Sequence, residues 1–190
     1  MNFLELTNAV LENTKRTDKL TLIRTEINNA LSFFVTDING NRDSQEQVVN
    51  INATEFTQEF ALNTLTRFRK FRYIKYGGTK VFLKQIGVKE VADGCANMTN
   101  RYYIMGNVVR ISQDRLAATL DVCYYQYPPV LAANTDTHWL TDSYPQVVVD
   151  RACYKIYASI GDREEAARFK SSSDETWRAK RMDLEAEGDD

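Results

Sequence analysis

The sequence has almost nothing from which to build a metal or nucleophile site. It holds one histidine, His138, and three cysteines, Cys95, Cys123 and Cys153, far apart and odd in number. No Cys-x-x-Cys pair exists, and only His138 is available to join the cysteines as a nitrogen ligand. Zinc binding is therefore disfavoured, and a disulfide framework more so. Ser-His-Asp or Cys-His chemistry would have to run through His138, which has no motif around it, and a histidine that packs in a loop is the simpler reading. The carboxylates are scattered without a matched pair, so glycosidase-type acid/base work is unsupported. Gly77-Gly-Thr-Lys80 lacks the earlier glycine of a Walker loop and reads as a turn. The residues thus offer no catalytic site, no metal site and no cofactor motif. Long apolar runs are missing too: none approaches the ~20 residues of a membrane helix. Residues 1–16 include Glu5, Glu12 and polar breaks, unlike a signal peptide. The scarcity of cysteine fits synthesis in a reducing cytoplasm.

What is present suits one domain of 190 residues with an apolar fraction, 43%, large enough for a core. The net charge is only −2, but residues 183–190 hold five acids and no base, so the remainder is net positive. Such an acidic end is usually a solvated tail and less often a docking peptide. Asp183 and Glu185 are expected to fray the last helical turn, because a helix C-terminus is already the negative end of the dipole.

The chain is organised around Val122-Cys-Tyr-Tyr-Gln-Tyr-Pro-Pro-Val-Leu131. Val122, Tyr124 and Gln126 alternate with Cys123, Tyr125 and Tyr127, as in a strand. Pro128-Pro129 ends it, since neither proline has an N–H for a ladder. A polar connector follows, with apolar anchors at Leu131 and Trp139-Leu140. Ser143-Tyr144-Pro145 then reads as a helix start, with proline in the first turn, where a missing N–H does no harm. Everything before this stretch to about residue 46 reads as β, and everything after it as helix.

At the N-terminus, Phe3, Leu6, Val10 and Leu11 predict a short helix over 2–12. Leu20, Ile23, Ile27, Ala30, Leu31 and Phe34 step at three and four, predicting a helix over 17–38 with Thr17 as N-cap and Asn39-Gly40 as the stop. Residues 46–53 alternate as one short strand. Residues 55–62 read as a second strand or a helical turn. Residues 67–76 read as an extended stretch closed by Gly77-Gly78, and 80–91 as a strand turning at Gly87 or a short helix. Gly106-Asn107, between Tyr102-Tyr-Ile-Met105 and Val108-Val-Arg-Ile111, is a hairpin turn. With the strand at 116–127 these make an antiparallel β unit. The helix at 145–160 has the face Val148, Val149, Ala152, Cys153, Ile156 and Ile160 and stops at Gly161. Asp162-Arg-Glu-Glu165 has capping-box spacing and starts a last helix with the stripe Ala166, Phe169, Ser173, Trp177 and Leu184.

One charged run stands out. Arg67-Phe-Arg-Lys-Phe-Arg-Tyr-Ile-Lys-Tyr76 holds five bases, four aromatics and no acid. Such a run grips a nucleic-acid strand through phosphates and stacking, or else turns its aromatics into the core and uses its bases to protect an edge strand or touch a subunit. The alternation slips between Phe68 and Phe71, which predicts a bulge. The structural or subunit-contact reading is preferred, because basic stretches are common and folds that read nucleic acid are not.

In their order these parts resemble the head-to-tail adaptor (connector) proteins of tailed bacteriophages. The matching pieces are Ala30-Leu-Ser-Phe-Phe34, the β insertion, Tyr102-Tyr-Ile-Met-Gly-Asn-Val-Val-Arg-Ile111, and Tyr124-Tyr-Gln-Tyr-Pro-Pro-Val-Leu131. Thr135-Asp-Thr-His-Trp-Leu140, Tyr144-Pro-Gln-Val-Val-Val149 and the last helix with Trp177 complete the set. The resemblance implies an α+β fold: one adaptor domain over 1–190, with N-terminal helices at 1–40, a β insertion at 46–127, C-terminal helices at 143–185 and an acidic tail at 186–190. It implies a structural virion protein with no catalytic site, made in the host cytoplasm. It further implies a homo-oligomeric ring, usually twelvefold, placed between the portal protein and the tail or nozzle proteins. Double-stranded DNA would pass through the lumen without sequence readout.

In such proteins the C-terminal segment commonly docks on the portal. Here that maps to Trp177, Arg181, Leu184, Glu185, Glu187, Asp189 and Asp190. Arg67, Arg69, Lys70, Arg72, Lys75, Tyr125, Tyr127 and Trp139 are the expected subunit or tail contacts. Independently of the resemblance, Tyr102, Tyr103, Tyr124, Tyr125, Tyr127 and Trp139 exceed what one small sheet can bury, and Tyr and Trp favour interfaces. The competing reading is an antiparallel-sheet nucleic-acid module using 67–76, and a weaker third is an enzyme using His138.

Overall fold

The structure, a computed structural model, describes residues 1–37, 44–50, 52–53, 58–92, 99–111 and 119–186. In chain order its elements are α1 (Phe3–Thr14), α2 (Leu20–Asp37), β1 (Ser44–Asn50), β2 (Asn52–Ala53), β3 (Gln58–Ala61), β4 (Phe68–Tyr76), β5 (Lys84–Gln85), α3 (Val88–Ala92), β6 (Arg101–Met105), β7 (Val108–Ile111), β8 (Thr119–Gln126), α4 (Trp139–Ser143), α5 (Pro145–Ile160) and α6 (Arg163–Ala186). The fold class is α+β, as expected. The chain divides into two compact units. Met1–Asp43 and Tyr127–Asp190 form a helical unit, and Ser44–Gln126 forms a β unit.

The helices of the first unit begin and end where their residues supply caps. Asn2 and Glu5 form a reciprocal capping box on α1. Thr17 is not the cap of α2, contrary to the expectation. Thr17–Lys19 form a 3-10 turn instead, and Asp18 accepts two bonds from the Arg16 guanidinium, which hold its carboxyl down at about 2. In α5, Pro145 occupies the first turn, and Gly161 closes the helix at φ 82°, a left-handed angle that costs glycine nothing. Asp162 then accepts the Glu165 N–H to open α6.

The apolar stripes meet in one core: Phe3, Leu6 and Val10 from α1, Ile23, Ile27, Leu31 and Phe34 from α2, Val148, Ala152 and Ile156 from α5, and Phe169 and Trp177 from α6. Each large side chain buried there stabilises the unit by about 1.5–3 kcal/mol relative to exposure. Two expected members lie outside the core, Leu20 and Ile160, which sit in the end turns of their helices and are exposed. The connector after the prolines is held by polar bonds. Asn28 of α2 both donates to the Leu131 carbonyl and accepts the Leu131 N–H. Asp136 accepts the N–H groups of Ala132 and Ala133, which lower its carboxyl pKa.

The β unit contains two sheets among the described residues, of order β1-β8-β4 and β2-β3-β7-β6-β5. The single strand expected at 46–53 is therefore two strands in different sheets: β1 pairs with β8, and β2 with β3. Alternation says which face a residue takes but not which partner it meets. Of the stretch 55–62, Gln58–Ala61 form β3 and a 3-10 turn starts at Leu62, while residues 55–57 lie outside the described residues. Those of 80–91 resolve as the short strand β5 and, after Gly87, the short helix α3. The hairpin β6–β7 turns at Gly106, φ 60°, as expected. One pair, β5 with β6, is parallel. β1 runs along β8 in unbroken register from Ser44 opposite Tyr125 to Asn50 opposite Thr119. The unit's core gathers Phe60, Ile74, Tyr76, Tyr102, Val109, Leu120, Val122 and Tyr124.

Candidate interaction surfaces

Strand β4 carries the basic run. Its pairing with β8 slips twice, between Phe68 and Lys70 and between Phe71 and Tyr73, so Arg69 and Arg72 are the extra residues of two bulges. The bulge read from the sequence is there, and it has a twin. Without bulges, residues three apart would face opposite sides of the sheet. With them, Phe68, Phe71 and Ile74 all turn into the core. Phe68 and Phe71 lie 4.6 Å apart, Phe71 meets Tyr102 edge-on at 5.6 Å, and Phe68 lies 5.9 Å from Tyr124.

The bases take the other side. The Arg69 guanidinium and the Lys70 ammonium each lie 5.3 Å from the Tyr125 ring centroid, a pair of cation–π contacts that holds both heads at one place. Arg72 is exposed. Arg67, at φ 51°, donates to the Gln126 side chain at 3.0 Å. Lys75 pairs with Asp121 at 3.4 Å and so presents a neutralised charge. Residues 81–83 cover the outer edge of the C-terminal half of β4, where Leu83 donates to the Ile74 carbonyl at 2.8 Å and Tyr76 to that of Val81 at 3.2 Å.

The second surface is the end of α6. Trp177 is 6% exposed and tilts onto Phe34 at 4.7 Å. Its indole N–H donates to Asp37, the last residue of α2, at 2.8 Å, and Arg181 reaches the same carboxylate at 3.2 Å. The carboxylate at the negative end of α2 is thereby compensated by two donors from α6. Trp177 and Arg181 thus brace the helix from which the remaining candidates extend. The helix continues through Leu184 and Glu185 to Ala186, past the point where fraying was expected, since Leu, Glu and Ala are good helix formers. Glu187, Asp189 and Asp190 lie outside the described residues.

Of the aromatics expected to exceed what the sheet can bury, Tyr102 and Tyr124 are buried in the core of the β unit, and Tyr125, on the other face of β8, is buried with Arg69 and Lys70 against its ring. Tyr103 and Trp139 are half-buried, and Tyr127 is 46% exposed. His138 caps α4: its ring Nδ1 accepts the Leu140 N–H at 3.3 Å, and its backbone N–H donates to the Thr141 hydroxyl at 3.0 Å. Among the described residues no cluster of three or more His, Cys, Asp or Glu is placed to hold a metal.

The sequence reading missed a groove of about 360 Å³ lined by Glu26, Asn29, Ala30, Phe33, Arg151 and Lys155. The Arg151 guanidinium lies 4.0 Å from the centroid of Phe33, which is 45% exposed, and pairs with Asp174 at 3.3 Å. The signal was the Phe33-Phe34 pair. Neighbours on a helix point about 100° apart, so only one of them can face the core.

The described residues therefore present charged and aromatic contact faces. The profile of the SU10 adaptor protein family matches residues 1–187, and the chain belongs to that family. It is a structural adaptor of a bacteriophage and a component of the virion. No curated protein matches it. Among the described residues no helix is long and apolar enough to cross a membrane.

Proposed function

We propose that this adaptor assembles as a closed ring of twelve copies at the head-to-tail junction, below the portal and above the tail or nozzle, with double-stranded DNA passing through its lumen. The family match across almost the whole chain carries this reading. The helical and β units act together as one protomer. α6 is braced on Asp37 by Trp177 and Arg181, and the segment that follows them in the sequence, with Leu184, Glu185, Glu187, Asp189 and Asp190, is the portal contact. Tyr127 and Trp139, which keep accessible ring surface, serve neighbouring subunits or the tail. The protein is made in the host cytoplasm and completes its ring on the portal.

The rival reading, a sheet that stacks single-stranded bases on the 67–76 aromatics, is disfavoured by Phe68 and Phe71, whose rings pack with Phe60, Tyr102 and Tyr124. The test is to titrate the full chain and a chain lacking residues 183–190 onto purified portal and to image the products. Rings on the portal with the full chain, and docking weakened by the truncation and by salt, are expected, since exposed ion pairs are screened. A chain that stays monomeric on the portal at every concentration would sink the ring. Undiminished docking of the truncated chain would leave the tail without this role.

A further inference from the structure

The two units differ in charge. The β unit has more bases than acids, and the helical unit more acids than bases. The excess positive charge of the β unit comes from the run on β4. The bulges at Arg69 and Arg72 decide what that charge can do. They turn the aromatics inward, set Arg69 and Lys70 against Tyr125 on the opposite side, and leave Arg72 exposed beside them.

We propose that Arg69, Lys70 and Arg72 form a contact strip for the phosphate backbone of duplex DNA, one that binds without reading sequence. With its two bulges the stretch from Arg69 to Arg72 runs along about two residues of β8, roughly 7 Å, a length over which a duplex presents about four phosphate charges. Tyr125 braces two of the heads, so less freedom is lost when a phosphate arrives. The Phe68 and Phe71 rings belong to the core, so no stacking platform for single-stranded bases lies between the cations. The cores of protein interfaces are depleted of charge, and an all-cationic strip fits a polyanion better than an apolar protein face. The strip belongs to the β unit of a single copy, so the inference stands or falls separately from ring formation.

The experiment follows the fluorescence anisotropy of a labelled duplex of thirty base pairs with the full chain at about 50 and 200 mM salt. Three phosphate contacts predict that affinity falls about 40-fold across that range. Replacing Lys70 and Arg72 with Ala leaves one contact, and the fall shrinks to about 4-fold. Both residues are exposed, so the variant keeps its melting temperature. Arg72→Glu alone, a single charge reversal, weakens binding more than Arg72→Ala. Three results would overturn the proposal: no saturable binding at low salt, variants that bind like the wild type, or tighter, salt-insensitive binding of the single strand. Tighter binding of a synthetic Asp183–Asp190 peptide than of the duplex would also overturn it, and would make an acidic protein segment the occupant.

Discussion

Ser172 of α6 donates its hydroxyl hydrogen to the carboxylate of Asp150 on α5 at 2.6 Å. Asp150 is 3% exposed, and its other oxygen accepts the Gln146 amide at 2.6 Å. Beside this bond, Ser173 donates to the Val147 carbonyl and Arg151 pairs with Asp174. The serine run of α6 thus lies along α5 and satisfies a carboxylate that burial would otherwise penalise. Asp150→Ala should destabilise the protein by about 2 kcal/mol, and Ser172→Ala by about 1. The double variant should lose less than the sum, because one bond is counted in both. Denaturant midpoints check this, and strict additivity would refute the coupling.

Trp177 is the ring that closes the core between α2 and α6. Trp177→Ala should cost about 3–5 kcal/mol. Trp177→Phe keeps most of the packing, loses the bond to Asp37 and should cost about 1 kcal/mol. Thermal unfolding of the two variants gives the comparison. Equal losses would show that the bond, and not the packing, holds α6.

Alkaline pH should weaken the helical unit first. Burial, with a contribution from nearby Asp150, pushes the Cys153 thiol from 9.0 to about 12. Below pH 9 both folded and unfolded chains keep the proton. Above it the unfolded chain releases the proton while the folded chain holds it, so stability falls between pH 9 and 12 by up to about 1.4 kcal/mol per pH unit. Tyr102 in the β unit, pushed by burial from 10.0 to about 12, adds a second loss that starts one unit higher. Stability of Cys153→Ala, measured at pH 8.5 and 10 against the wild type, should show a shallower decline, and an unchanged slope would exclude the thiol as its source.

The bulges predict an asymmetry between deletions. Removing Arg72 leaves Phe71, Tyr73 and Ile74 in plain alternation, with Phe71 and Ile74 still inward. Removing Lys75 instead turns Tyr76, which is 1% exposed, to the outer face. The first deletion should change stability by less than about 1 kcal/mol, and the second should cost about 3–5 kcal/mol, as for loss of a buried aromatic. Circular dichroism melts of the two variants decide it, and comparable losses would mean that the bulges do not set the register.

The helical unit was legible because its signals are local. Pro145 and Gly161 bound α5, Asp162 opens α6, and stripes at three and four name the core residues. The slip between Phe68 and Phe71 was legible for the same reason: two inward aromatics three apart require an extra residue. The pairing of sheets was not legible. β8 meets β1, far back in the chain, and nothing within either strand names the other. His138 shows the same limit at a single residue, since a cap is defined by what it touches. The candidate surface on β4 could be found as a run of charge, but which way its aromatics face depended on the bulges.

The pairing of Ser44 with Tyr125 bears on how the chain folds during synthesis. α1 and α2 leave the ribosome early, yet α5 and α6, against which their apolar faces pack, are made only after the whole β unit. An unstructured insertion of that length would oppose their meeting through the entropy of closing a long loop. Once β1 lies on β8, the two ends of the insertion are neighbours in one sheet, separated by about 5 Å. The long loop then behaves as a short one. Zipping of β1 onto β8 is in this sense the step that lets the first helices find the last, and a slow β unit would leave α1 and α2 exposed to chaperones and to each other's copies.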